Sequence, residues 1–174
     1  ELVALLAETE EAFAFLDKSG VEITEQEKRV EQLSNNLQRA AEHLSQERKK
    51  SASRFEKEVV KNLKELNMGY SIFRTSFEKK DAPGGNGIDI AEFLFSANPG
   101  ETPKSLSKTA SGGELARVML SIRAVIAEKD MIPVLVFDEV DTGIGGETAD
   151  KVGEMLKELG NSRQVFCVTH SHQI

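Results

Sequence analysis

The sequence predicts an α/β fold that carries a long helical arm, and three observations indicate it. Residues 24–66 contain neither glycine nor proline and are rich in strong helix formers. Two short apolar runs, at 134–137 and 164–168, flank a helical segment, which is the order of a parallel strand pair. Between the arm and these runs, two stretches alternate apolar and polar residues, as the strands of a hairpin do.

Composition restricts the class of protein. The 174 residues, 39% of them hydrophobic, suffice for one compact domain with an appendage. No uncharged apolar stretch is long enough to cross a membrane and the acidic start does not resemble a signal peptide, so we expect a soluble, unexported protein without a membrane partner. Cys167 is the single cysteine, which excludes an internal disulfide. The net charge of −7 argues against uniform coating of DNA, although basic side chains cluster within residues 48–64.

The arm has the pattern of a coiled coil. A capping box formed by Thr24 and Glu27 predicts the start of the long helix, and a separate helix over 2–16 is expected to end near Gly20. Apolar residues then follow heptad spacing at Val30, Leu33, Leu37, Ala40 and Leu44. This narrow stripe favours a coiled coil over the alternative, a long helix lying on its own domain.

The heptad pattern slips by about one residue near 48–51, which predicts a change of packing partner there. It resumes with Ala52, Phe55, Val59, Leu63 and Leu66. We therefore divide the chain into a helical arm, residues 1–66, and a lobe, residues 67–174. Because the arm is short and begins without methionine, we expect a piece of a longer protein.

The lobe begins with a predicted hairpin, with strands at 70–77 and 88–95 and a long glycine-rich loop over 83–87. A loop over 98–108 and a helix over 113–129 follow. The later elements are strands at 134–137 and 164–168, each apolar enough for a sheet covered on both faces, and between them a helix over 147–159 stopped by Gly160.

Two adjacent carboxylates, Asp138 and Glu139, directly follow the first apolar strand. Open α/β sheets bind ligands at the carboxyl ends of their strands. In nucleoside triphosphatases, one such carboxylate holds Mg²⁺ and another group orients the attacking water. Successive strand residues point to opposite faces, which permits two roles. The alternative is a solvated acidic pair that opens a turn.

Two further features lie at the same predicted edge. Ser111, Gly112 and Gly113 begin a helix, where free amides and the helix dipole attract anions, although plain helix capping is the alternative. Thr169 and His170 follow the second apolar strand, and the histidine is suited to contact a phosphate or a water, or is simply a satisfied edge residue.

In combination, residues 111–117, 134–144 and 169–170 resemble the signature motif, Walker B, D-loop and switch histidine of ABC-type ATPase heads. The form of these motifs, with Asn-Pro-Gly at 98–100, is similar to that of the RecN family of bacterial DNA-repair proteins, relatives of the SMC proteins. The resemblance covers residues 50–174 and implies the carboxyl-terminal lobe of an ABC-type P-loop head with an antiparallel coiled-coil stem. One departure falls at Ser171 and His172, where the family pattern has Leu-Pro between the histidine and the glutamine.

The resemblance implies a role for each motif. Asp138 supports Mg²⁺, Glu139 is the catalytic base and His170 contacts the γ-phosphate of ATP. The residues that bind ATP held by a second head, or line that head interface, are Ser111, Gly112, Gly113, Glu114 and Asp141. Hydrolysis then follows head engagement, in a cytoplasmic, nucleoid-associated protein whose coiled coil links the heads to a region that acts on DNA.

A phosphate-cradling loop of the form Gly-x-x-x-x-Gly-Lys-Ser/Thr does not occur in this sequence. We therefore expect that this chain alone neither binds ATP tightly nor hydrolyses it. The resemblance implies that an amino-terminal lobe carries the loop and is a partner, together with a second head and DNA. The alternative function is a coiled-coil interaction module without ATPase activity. A third interpretation, the ATP-binding subunit of a transporter, is disfavoured by the arm.

Overall fold

The computed structural model describes residues 2–108, 112–127, 129–172 and 174. Its helices are α1 (Leu2–Glu65), α2 (Gly112–Ile126) and α3 (Glu147–Gly160), and a 3-10 turn spans Leu106–Lys108. Its strands are β1 (Ile72–Gly84), β2 (Gly87–Ser96), β3 (Lys104–Ser105), β4 (Val134–Asp138) and β5 (Gln164–Val168). One sheet has the order β1-β2-β3, and β4 pairs with β5 in a second, parallel sheet. The predicted α/β class is confirmed.

The chain forms two compact units. The first contains the part of α1 up to Gln46 together with the hairpin tip Lys80–Ile88, and the second contains Glu47–Lys79 and Asp89–Ile174. In the first unit, Ala41, Ser45 and Ile88 are buried. The division into an arm and a lobe after residue 66 stays a prediction.

Helix α1 runs without interruption through the predicted break at Gly20, so the expectation of two helices was wrong. Thr24 does not cap a helix start, because its Oγ1 donates to the carbonyl of Gly20 at 2.9 Å from inside the helix. A glycine in a helix costs about 1 kcal/mol relative to alanine. One such residue does not end a helix whose flanking sequence favours helix on both sides.

The predicted coiled-coil stripe lies on the surface of the first unit. Val30 is 65% exposed and Leu33 is 59% exposed. Ala40 is also exposed, and its neighbour Ala41 is buried instead. The part of the first unit that the structure describes contains no second helix, so the coiled-coil pairing stays a prediction.

The last turns of α1 pack into the second unit, as the resumed apolar pattern predicts. Val59, Leu63 and Leu66 are fully buried there. The helix ends because Asn67 adopts the left-handed conformation, with φ 58°. The Met68 N–H then donates to the carbonyl of Leu63 at 2.9 Å, which satisfies a carbonyl that has no partner within the helix.

The predicted hairpin is confirmed, but its long loop is not. β1 and β2 are separated by Gly85 and Asn86 alone, since the strands extend into the glycine-rich segment. β3 lies inside the predicted loop 98–108 and pairs antiparallel with β2 through Leu94 and Ser105. Two residues are too few to show the alternation that marks a strand in a sequence.

The predicted β4-α3-β5 unit is confirmed, with Asp138 aligned to Val168 across the parallel pair. α2 ends at Ile126, three residues before its predicted end, and α3 includes Gly160. Leu135 and Phe137 point into a core shared with α2 and α3. The opposite face is exposed, so the expectation of a sheet covered on both faces was wrong for this chain. That face, here called the open sheet face, carries Val134, Val136, Phe166 and Val168.

Candidate functional site

The two adjacent carboxylates leave the end of β4 in different directions. Asp138 is exposed and lies on the same face of the strand as Val134 and Val136. Glu139 turns toward α2, where its Oε2 would overlap with a Cβ added at Gly112. Gly112 and Asp138 also line one groove of about 440 Å³ between α2 and β4. Both carboxylates therefore lie near the start of α2, and their division between two roles stays a prediction.

Glu139 has a backbone conformation that is uncommon for a residue with a side chain. Its φ is 58°, in the left-handed region. A turn follows at once, because the Thr142 N–H donates to the Glu139 carbonyl at 3.1 Å. The side chain thereby lies at the start of α2, where the positive end of the helix dipole favours a carboxylate.

The start of α2 packs directly on the segment 139–142, here called the turn segment. A Cβ added at Gly113 would lie 2.9 Å from the Thr142 Cβ and 3.1 Å from the Glu139 carbonyl oxygen. Arg117, one helical turn later, is buried and donates from Nη1 to the Thr142 carbonyl at 2.8 Å. Burial lowers the pKa of Arg117, and the nearby Glu114 carboxylate acts in the opposite direction. The glycine and the arginine together hold α2 on the turn segment.

The turn segment is also joined to the end of β5. Asp141 Oδ2 accepts hydrogen bonds from Thr169 Oγ1 at 2.6 Å, from the His170 N–H at 2.8 Å and from the Ser171 N–H at 2.9 Å. The hydrogen bond from Thr169 contributes most to lowering the pKa of Asp141, partial burial opposes it, and the two amides lower it further. The carboxylate therefore stays ionised and holds the segment 169–171.

The structure brings most of the predicted site residues to one edge of the parallel strand pair. Those placed there are Gly112, Gly113, Asp138, Glu139, Asp141 and His170. Glu114 lies in the first turn of α2, and the His172 side chain is exposed. Ser111 lies outside the described residues. The chemical roles of all these residues remain predictions.

Sequence reasoning gave no separate role to Arg117. The feature of the sequence that marks Arg117 is its place on the apolar face of the predicted helix. In the structure it is one of the buried residues of α2. A long cation in that position must find buried acceptors, which here are backbone carbonyls of the turn segment.

The acidic residues fit one kind of magnesium site and not another. Within the described ranges, no three His, Cys, Asp or Glu side chains gather closely enough to hold a metal ion by themselves. Mg²⁺ in nucleotide sites is held by one or two carboxylates together with phosphate oxygens and water. Asp138, exposed at the strand end, fits that second kind of donor set.

The site and the fold define an α/β lobe with polar residues at the carboxyl edge of a parallel strand pair, beside a hairpin and a long helix. Comparison with known proteins gives a narrower assignment. The chain is 40% identical over 142 residues to the DNA repair protein RecN of Rickettsia bellii, a match that covers 82% of this chain and 26% of that protein. It is 41% identical over 148 residues to RecN of Xylella fastidiosa, covering 84% and 27%.

RecN of Bacillus subtilis is 37% identical over 162 residues, covering 84% of this chain and 28% of that protein. The chain belongs to the RecN family, and it spans about a quarter of the length of the curated relatives that it matches. No family model matches it. Among the helices that the structure describes, none is long and apolar enough to span a membrane.

Smc head domains are among the solved structures to which this chain is similar. One is an SmcHead bound to the C-winged helix domain of ScpA, with a TM-score of 0.49 and 18% identity over 71% of this chain and 36% of that one. Another is the Pyrococcus furiosus Smc head with an extended coiled coil, bound to the C-terminal domain of ScpA. Its TM-score is 0.49, with 20% identity over 70% of this chain and 29% of that one.

Proposed function

We propose that this chain is the carboxyl-terminal lobe of an SMC-like ATPase head that couples ATP hydrolysis to DNA double-strand break repair and recombination. An amino-terminal lobe with the phosphate loop completes the head, and the chain alone is inactive. The observation that supports this most is the convergence of Glu139, Asp138 and the His170 segment at the ends of two parallel strands. The membership of the RecN family supports a role in DNA repair in the cytoplasm, at the nucleoid.

Each residue at the ends of the two strands and at the start of α2 has its own role in ATP binding or hydrolysis. Bound Mg²⁺ would neutralise phosphate charge, and Asp138 would hold it. Glu139 orients and deprotonates the attacking water, and His170 contacts the terminal phosphate. The amides at the start of α2, at Gly112 and Gly113, bind the phosphate of ATP held by a second head, and Asp141 lies near that interface.

The open sheet face supports the need for a completing lobe. Val136 is 69% exposed, Val168 is 55% exposed and Phe166 is 51% exposed. Covering apolar surface stabilises by roughly 25 cal/mol per Å². Asp138 lies at the end of the same face, so a lobe that packs there would bring its phosphate loop next to the proposed metal ligand.

The proposal is tested by supplying the missing lobe. The 174-residue chain is co-expressed with the amino-terminal portion of a RecN relative, the complex is purified, and ATP turnover is measured with Mg²⁺. We expect turnover by the complex and none by the chain alone. Glu139→Gln removes the base and keeps the size of the side chain, so turnover should fall by about 10²–10⁴-fold.

The matched control is Glu158→Gln, which makes the same change at an exposed position of α3 and should leave turnover unchanged. Turnover by the chain alone would contradict the proposal. So would a complex that assembles, as judged by gel filtration, and does not hydrolyse ATP.

DNA is proposed as a partner from a stripe of charge on α1. Lys50, Arg54, Lys57, Lys61 and Lys64 are exposed and follow steps of four and three residues. This spacing puts them on one face of the helix, opposite Val59 and Leu63. Arg48, which belongs to the same basic cluster in the sequence, pairs instead with the buried Asp89 carboxylate at 3.6 Å.

The DNA interaction is tested through its salt dependence. Replacing Arg54, Lys57 and Lys61 with glutamine in the completed protein should reduce the slope of log K against log salt by about 0.9 for each phosphate that these side chains neutralise. A matched triple variant at Lys18, Lys28 and Arg29, elsewhere on α1, should keep the slope. Equal slopes for wild type and the stripe variant would rule out the interaction.

The second candidate function, a coiled-coil interaction module without ATPase activity, is favoured by the exposed apolar residues of the first unit, such as Leu33 and Leu37. Exposed heptad positions need a partner helix. The complementation assay separates the two functions, since the interaction module would assemble with its partner and would not turn over ATP.

A further inference from the structure

We infer that Asp141 is a positioning residue for His170, because its carboxylate fixes the backbone segment 169–171 that carries the histidine. The effect on hydrolysis rests on the function proposed above. The resemblance to ABC-type heads assigns Asp141 to the interface between two heads. The contacts within this one chain give it a different role.

Three donors converge on one carboxylate oxygen. Thr169 Oγ1, the His170 N–H and the Ser171 N–H lie 2.6, 2.8 and 2.9 Å from Asp141 Oδ2. Hydrogen bonds to an ionised acceptor are stronger than those between neutral groups. The three donors belong to consecutive residues, so they fix the backbone on both sides of the His170 Cα.

Asp141 is itself held in place. The turn segment that carries it packs against Gly113, and Arg117 Nη1 donates to the Thr142 carbonyl at 2.8 Å. On its other side, the Ile144 N–H donates to the Asp141 carbonyl at 3.3 Å. The carboxylate therefore restrains the end of β5 from a segment that is anchored to α2.

The histidine needs this restraint because its own side chain is exposed. The segment 169–171 follows the last residue of β5, where pairing with β4 ends at Val168. Beyond that point, three hydrogen bonds join the segment to Asp141. A side chain placed about 1 Å from its working position can lower a rate about 10²-fold.

The first test uses the 174-residue chain without nucleotide. Asp141→Asn keeps the size of the side chain and removes its charge. We expect amide hydrogen exchange at His170 and Ser171 to become about tenfold faster, while exchange in β4 and α3 stays unchanged. Asp81→Asn, in the exposed hairpin tip, is the control and should change neither amide.

Thr169 provides a second variant that leaves Asp141 intact. Thr169→Val removes one donor and should accelerate exchange at the same two amides, whereas Thr169→Ser keeps the hydroxyl and should restore protection. Unchanged exchange at His170 and Ser171 in both Asp141→Asn and Thr169→Val would overturn the inference, whatever the fate of the proposed ATPase.

The second test uses the head completed by its amino-terminal lobe. Asp141→Asn should lower kcat about 10–100-fold and change KM little, since the substitution disturbs positioning and leaves binding intact. In a His170→Ala background the same substitution should have no further effect. Fold-losses that multiply would show that Asp141 acts apart from His170 and would overturn the inference. Wild-type turnover in the same assay reports separately on the proposed function.

Discussion

Gly113, at the start of α2, is the position where adding a single methyl group best tests how α2 packs on the turn segment. A Cβ placed there would lie 2.9 Å from the Thr142 Cβ and 3.1 Å from two carbonyl oxygens, those of Glu139 and Thr142. Backbone atoms cannot swing aside as the end of a side chain can. Gly113→Ala therefore pushes α2 away from the turn segment.

The size of the effect follows from the overlap. Regaining an ordinary contact of 3.4 Å with Thr142 requires a shift of about 0.5 Å. Forcing one extra methyl group into a packed region costs about 1–3 kcal/mol, and the better helix propensity of alanine returns up to about 1 kcal/mol. We expect the free energy of unfolding to fall by about 1–2 kcal/mol.

Gly112 and Gly160 provide the contrast. At Gly112 the overlapping atom is the far end of the Glu139 side chain, so Gly112→Ala should cost little stability and displace the proposed catalytic carboxylate. At Gly160, the last residue of α3, a Cβ meets nothing within 4 Å. Gly160→Ala should therefore raise the free energy of unfolding by about 0.4–1 kcal/mol.

The assay is equilibrium urea unfolding followed by far-ultraviolet circular dichroism, because the single tyrosine, Tyr70, is 81% exposed and reports little on packing. All three glycines belong to the same compact unit. The expected order of stability is Gly160→Ala, wild type, then Gly113→Ala. If the Gly113→Ala chain were as stable as wild type, the close packing of α2 on the turn segment would not be the reason for a glycine at this position.

Three further predictions follow from single residues. Asn67→Val should lower the free energy of unfolding by about 1–2 kcal/mol because φ is positive there, and Asn67→Gly should not; equal urea midpoints would contradict this. The lowered pKa of Asp141 means that its contribution to stability is present above the ordinary aspartate value of about 3.9 and is lost as pH falls through the folded pKa. The stability difference between wild type and Asp141→Asn should thus shrink in acid, and a difference that grows would be inconsistent with it. Burial, and then the charges of Asp141 and Asp138, raise the pKa of Cys167, so iodoacetamide should alkylate it more slowly in the folded chain than in urea; equal rates would refute this.

The sequence by itself determined the elements whose signal is local. The apolar runs at 134–137 and 164–168 predicted β4 and β5 because a short, uninterrupted apolar run between turn signals is typical of a strand. Adjacency along the chain was also enough to place Asp138 and Glu139 at a strand end, since it requires no knowledge of distant contacts. The family resemblance came from the same short motifs.

The continuity of α1 and the existence of β3 depend on small differences in free energy. A local sequence pattern does not show which side of such a difference is larger. Gly20 looked like a helix end, but its cost of about 1 kcal/mol is smaller than the gain from continuing a favourable helix. β3 gave no signal, because its two residues form a strand only through pairing with Leu94 and Phe95 of β2.

Only the tertiary structure decided which atoms of the site meet. The sequence contains Gly113, Arg117, Asp141 and Thr169, but their spacing does not reveal that one glycine faces backbone atoms of the turn segment or that one carboxylate accepts three donors from the end of β5. Such contacts join residues about 30 positions apart and depend on how α2, β4 and β5 pack. The exposure of the open sheet face was likewise decided by the tertiary structure. Whether a strand residue is buried depends on which elements pack against it, and the strand's own sequence does not specify them.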